Sequence, residues 1–342
     1  MKVICHIGHP KTASTFLQNT CAQNAGWLRG HGILYPDMLV PDVNHISLLY
    51  ACANYISVFA RDYGIESLEE AREFGTKLSA HLRRQIDEAN GEIHTVLLSS
   101  ENLTANISGP QGVQNLADFL SEIFDEVRIL VYLRRQDDAL LSMYGEYMRR
   151  GFGGMTFDSF VDEALGNTVM VPYIFHRRIL EFWNESFGRD RVTVRIFDRD
   201  ELVGQDILTD FFDVVFSGNP PDMSQLRRSA NDNTGLSAPA LEFLRQMHPF
   251  ISYHWNGKPN PLRQRLQGRI ETLPVEPRAR LSREQSERIM ARFSSANEWV
   301  RTTYFPDKPA PLFPPRRRED PTSNLGQITI SEFAQFTGHM LL

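Results

Sequence analysis

Cysteine is scarce in this chain: it has three, Cys5, Cys21 and Cys52, all within the first 52 residues. None stands in CxxC spacing or beside a companion histidine pattern, which argues against a disulfide framework and a structural zinc site. Long apolar runs are missing too. No 18-residue apolar segment occurs, and the opening "MKVICHIGHPK" lacks the hydrophobic stretch of a secretory signal. A soluble, cytoplasmic protein with reduced thiols is predicted. Nor is there an excess of positive charge, since 36 Lys and Arg against 42 Asp and Glu give a formal net charge of -6. That balance argues against coating nucleic acid or anionic lipid, and it leaves room for a basic pocket around a small anion. Internal repeats and low-complexity segments are also absent.

What is present is ample core material, 42% hydrophobic residues over 342 positions, enough for one large α/β domain or two ordinary ones. Short apolar runs at "KVICHIG" (2–8), "HTVLLSSE" (94–101), "VRILVYLR" (127–134) and "VTVRIFDR" (192–199) read as buried strands. Each is followed by a helical pattern, of which "SLEEAREFGTKLSAHLRRQIDEAN" (67–90) is the longest. Strand and helix in alternation predict right-handed crossovers and a central parallel sheet flanked by helices. From about residue 225 the pattern turns helical, with "LSAPALEFLRQM" and "SREQSERIMARFSSANEWVRTTY" on either side of a loop-like "HPFISYHWNGKPNPLRQRL". The expected organisation is an α/β core over 1–224 and a helical extension over 225–342, packed together as one structural domain. The proline-rich "PDKPAPLFPPRRREDP" (306–321) cannot be regular helix.

The stretch "HIGHPKTASTF" (6–16) stands where the first strand hands over to a helix. A turn there offers the free N–H groups of the helix's first turn, together with Lys11 and the hydroxyls of Thr12, Ser14 and Thr15, which suits an oxyanion. Pro10 stiffens the turn without losing a useful N–H. An ordinary strand-to-helix turn, with Ser and Thr capping the helix, explains the same residues locally. The ATP- and GTP-binding loop G-x-x-x-x-G-K-[ST] fits badly, because Pro10 and Cys5 occupy its two glycine positions.

The stretch resembles the 5'-phosphosulfate loop of sulfotransferases that use 3'-phosphoadenosine 5'-phosphosulfate (PAPS), in the form "HIGxPKTGTT" common in bacterial members. The match covers Gly8, Pro10, Lys11, Thr12, Ser14 and Thr15. Ala13 stands where the family usually has glycine: either the backbone there is helical enough to accept a side chain, which is the expectation, or the alanine is strained and donor affinity is reduced. Phe16 falls where cytosolic members place a ring against adenine; a core residue on the helix's buried face is the competing reading. A second resemblance follows the strand "VRILVYL": Arg134 at its end and Ser142 eight positions on match the family's 3'-phosphate motif, with Asp137 as the expected helix N-cap and Asp138 where members carry an acid. A surface ion pair is the plainer account of Arg134 and Arg135 taken singly. Weaker resemblance runs through "FHRRILEFWNESFGRDRVTVRIFDRDEL" (175–202) and "ANEWVRTTYFPDKPAPLF". The C-terminal "RKG" of the cytosolic animal enzymes is absent, and Arg316 to Arg318, or Arg227 and Arg228, read as solvated charge.

The resemblance implies a P-loop-like α/β fold and transfer of a sulfuryl group from PAPS to a hydroxyl or amine, leaving adenosine 3',5'-bisphosphate (PAP), with no metal. Lys11 would stabilise charge on the departing bridging oxygen. Glu101, at the end of its strand, and His45, in "PDVNHISLLY", are the candidate general bases, and Ser100 could touch the sulfonate. The implied acceptor is a hydroxylated small molecule, glycan or lipid, for which Tyr147, Phe152, Tyr253 and Trp255 offer an apolar or ring-stacking wall; a homodimer is allowed and nucleic acid is not expected. Two other readings stay open: a P-loop-type nucleotide kinase, and a catalytically degenerate nucleotide-binding protein.

Overall fold

Runs of β-branched and aliphatic residues bounded by turn formers build five strands: β1 (Lys2–His6), β2 (Ile33–Leu34), β3 (Thr95–Ser99), β4 (Glu126–Leu133) and β5 (Val192–Ile196). The computed structural model describes residues 1–342 apart from 90, 108, 231–234, 256, 257, 274, 317–321 and 342, and omits the side chains of 254, 255, 259, 340 and 341. The strands form one parallel sheet in the order β2-β3-β1-β4-β5. The α/β class and the four longer strands match the reading from sequence. The two-residue β2 was not among the expected strands, because nothing there alternates for long enough to be seen.

The chain divides into two compact units, Met1–Arg134 with Phe175–Asp232, and Arg135–Ile174 with Asn233–Leu342. The first holds the whole sheet. Val3 and Cys5 on one face of β1 and Ile4 and His6 on the other are all buried, so helices cover both sides. On the Ile4 face, the helix Ser14–Gln23 brings Phe16, Leu17 and Cys21 against Tyr132 of β4 and against Leu208, Phe211 and Phe212 of the helix Ile207–Val215. A buried polar link ties β4 and β5 to that helix: Tyr132 donates to Asp210 at 2.7 Å, and Arg195 pairs with the same carboxylate. The long helix Leu68–Glu88 starts from a capping box between Ser67 and Glu70 and buries Ala71, Phe74, Leu78 and Leu82, the three- and four-residue spacing its sequence predicts.

The second unit contains the helices Gln136–Arg150, Phe157–Gly166, Ala238–Met247, Arg283–Arg292 and Ser294–Tyr304. The loop-like stretch after residue 248 holds a two-stranded antiparallel ladder, His254–Trp255 with Lys258–Pro259, where no strand was expected. No described helix is long and apolar enough to cross a membrane.

Candidate functional site

Parallel pairing sets the site's position. His6 of β1 lies opposite Ser99 of β3 and Leu130 of β4, so the carboxyl ends of these three strands stand side by side, where open α/β sheets gather ligands. β1 stops at His6 because Gly8 turns the chain with φ of +57°. A Cβ on Gly8 would lie 2.5 Å from the Cα of Glu101, so only glycine lets the two strand tips close. Thr104 Oγ1 donates to the Gly8 carbonyl at 2.9 Å and fixes the approach.

The loop then passes through two left-handed non-glycine residues, Lys11 at φ +68° and Ala13 at φ +61°. Ala13 is the N-cap of the helix Ser14–Gln23, and with no side-chain oxygen it makes no capping bond. A helical backbone at Ala13 was expected; the position instead demands the left-handed conformation that explains glycine there, at a cost of about 1 kcal/mol for alanine. The helix therefore begins without a cap from its N-cap side chain, and among the described residues no side chain is seen to accept from its first-turn N–H groups. Thr12 is fully buried, and its hydroxyl donates to the His9 carbonyl at 2.6 Å, as Ser14 does at 3.5 Å. These two hydroxyls brace the turn. Thr15 is exposed, and Pro10 and Lys11 are half-buried. Phe16 belongs to the core cluster with Leu17, Tyr35 and Tyr132, so its ring is core rather than a free face for a base.

At the neighbouring tip, the guanidinium of Arg134 donates to the Lys11 carbonyl at 2.7 Å and lies 5.9 Å over the ring of Phe197. The structure thus brings Lys11 and Arg134 together. Ser142 lies in the second unit, half-buried within the helix Gln136–Arg150. That helix is N-capped by Arg135, not by Asp137 as its residue type suggested. Asp137 is buried inside the first turn, where Arg135 grips both its oxygens (3.1 and 3.2 Å) and Ser286 donates to it. Burial pushes this carboxyl's pKa up, but the bonds from Arg135 and Ser286 and the charge of Arg135 outweigh it and hold it below the usual range. Arg135 is thus a buried ion pair, and Arg316 pairs with Asp138; Arg317 and Arg318 lie outside the described residues. Arg228 pairs with Asp206, while the backbone of Arg227 is held by Asn24.

Glu101 follows β3 at the N-cap of the short helix Asn102–Asn106 and accepts a hydrogen bond from Gln18 Nε2 at 2.8 Å. His45 is buried, its ring centroid 4.4 Å from that of Tyr35 with the planes tilted by 37°, and its Nδ1 accepts the Ser99 N–H at 3.2 Å. Burial lowers its pKa to about 3. A neutral ring that accepts at Nδ1 carries its proton on Nε2, so of the two candidate bases Glu101 is the one with a lone pair to offer. The Ser100 hydroxyl is buried without a hydrogen-bond partner among the described residues. In the second unit Phe152 lies 5.7 Å from Tyr147 and 5.1 Å from Tyr253, a half-exposed aromatic cluster, while the side chain of Trp255 lies outside the described residues.

Sequence reasoning missed Gln18 and His6. The signal was available in both: a glutamine beside Leu17 and three positions before Cys21 falls on the helix's apolar stripe, and a histidine interrupts the apolar run of β1.

No protein-family model matches this chain, and no curated protein matches it. Among solved structures it is similar to a sulfotransferase from Alicyclobacillus acidocaldarius, at 13% sequence identity and a TM-score of 0.40, over 67% of this chain and 86% of that one.

Proposed function

We propose that this chain is a sulfotransferase that moves a sulfuryl group from PAPS to a hydroxyl or amine of a small-molecule, glycan or lipid acceptor, leaving PAP. What supports the reading most is the contact between Arg134 and the Lys11 carbonyl, at the tips of adjacent strands and beside a helix start whose N-cap residue makes no side-chain cap. A nucleotide with oxyanions on both sides of its ribose needs two such cationic positions. PAPS supplies a sulfur already bonded to a good leaving group. The first-turn N–H groups and Lys11 hold the 5' side, and Lys11 stabilises the charge that grows on the bridging oxygen. Arg134, whose planar fork has five donors, takes the 3'-phosphate. Glu101 accepts the proton of the acceptor. The helix start thus serves as an anion cradle, and the residues present suit one.

Thermal unfolding with PAP, AMP and ATP tests the reading. At about 100 times its Kd a true ligand adds roughly 2.7 kcal/mol of stability. PAP is expected to stabilise most, and a preference for AMP or ATP overturns the proposal. Lys11→Ala is expected to cut sulfuryl transfer by more than about tenfold while the chain stays folded; a smaller loss removes Lys11 from the leaving-group role.

A further inference from the structure

The carboxylate of Glu101 meets a partner that is itself tightly held. Gln18 is 1% exposed, and its side-chain amide donates to Glu101 Oε2 at 2.8 Å and to Ser99 Oγ at 3.3 Å. Ser99 Oγ is in turn 2.8 Å from Nδ1 of His6, a fully buried ring. Each group in this chain fixes the next. Ser99 Oγ, with two lone pairs and one hydrogen, accepts from the Gln18 amide and shares a hydrogen bond with His6 Nδ1. Turning the amide over would set its carbonyl oxygen against the carboxylate oxygen, which is repulsive, so its direction is determined.

We propose that Gln18 is a positioning residue that occupies Oε2 of Glu101 and leaves Oε1 as the oxygen that takes the acceptor's proton; this rests on the reading of Glu101 as general base. Among the described residues nothing donates to Oε1. The backbone of Glu101 lies close against Gly8 and Oε2 is held by Gln18, which restrains the carboxylate at the loop. Because glutamine is neutral, it orients the carboxylate without setting a cation beside it. In the transfer, the acceptor oxygen forms a bond to sulfur as the bond from sulfur to the bridging oxygen breaks. The electron pair of the broken bond goes to the 5'-phosphate, and the acceptor's proton goes to Oε1, from which it returns to solvent.

The test compares the intact chain with Gln18→Leu, Glu101→Gln and the double variant, using PAPS with water as acceptor and counting the sulfate released, with PAP affinity measured by calorimetry alongside. Each single change is expected to lower turnover about tenfold or more, the double variant to be no slower than the slower single, and PAP affinity to stay within about twofold. Normal turnover in Gln18→Leu, or losses that multiply in the double variant, overturns the role of Gln18 and leaves Glu101 as the base. Normal turnover in Glu101→Gln overturns the base reading itself. A crystal structure of Gln18→Leu decides independently of turnover: a Glu101 carboxylate turned away from its present place supports the proposal, and an unmoved one overturns it.

Discussion

Gly8 and Ala13 sit five residues apart in one loop, both left-handed, yet only one of them has the residue type that conformation favours. Gly8→Ala would add a Cβ 2.5 Å from the Glu101 Cα on a backbone at φ +57°, combining a clash with conformational strain. A loss of about 2–4 kcal/mol is expected, read from the urea midpoint. Ala13→Gly runs the other way. Removing the left-handed penalty is expected to stabilise the chain by about 0.5–1 kcal/mol, because glycine's extra freedom when unfolded offsets part of the gain. A lower melting temperature for Ala13→Gly would contradict the backbone assigned here. The strain lies where oxyanion binding is proposed, the kind of place where backbone strain tends to be kept.

At the scale of elements, the pieces that a sequence can reveal are those decided locally. The strands "TVLLS" and "VRILVYL" and the helix with its Ser67–Glu70 capping box follow from side-chain period and cap chemistry alone. Ser67→Ala is therefore expected to cost about 1 kcal/mol, measurable by thermal unfolding. Other features depend on partners distant in sequence and were not legible. Asp137 looks like an N-cap by residue type, but Ser286, 149 positions away, and Arg135 turn it into the anion of a buried pair. Asp137→Ala leaves the Arg135 guanidinium buried without its counter-ion, and a loss of about 3–5 kcal/mol is expected in equilibrium unfolding; a loss below about 1 kcal/mol would mean that the pair is not buried in solution. Phe16 was ambiguous for the same reason, since only the arrival of Tyr132 and Tyr35 makes it core. The family resemblance, more than residue types taken singly, pointed to Lys11, Arg134 and Glu101 as candidates, whereas the Gln18 contact needed the helix's rotation about the sheet.

For the whole molecule, the buried histidines predict how stability responds to acid. Burial lowers His6 and His45 from the ordinary 6.5 to about 3, and it also lowers His176, with a further push from His9. The unfolded chain thus binds more protons between pH 6.5 and 3. Stability is fully present above the unfolded value and falls as pH drops through that window, each such histidine adding a slope of about 1.4 kcal/mol per pH unit. Urea unfolding at pH 7.5, 6 and 5 checks the sign, and a midpoint that stays level down to pH 5 would contradict the burial of these rings. The central claim is that Lys11 and Arg134, gathered at the tips of β1 and β4, grip opposite ends of one nucleotide. Calorimetric titration of PAP and AMP into the intact chain and into Arg134→Ala tests it most directly. The intact chain is predicted to prefer PAP by about tenfold or more and Arg134→Ala to lose most of that preference; equal affinities in the intact chain, or a preference untouched by the substitution, would contradict it.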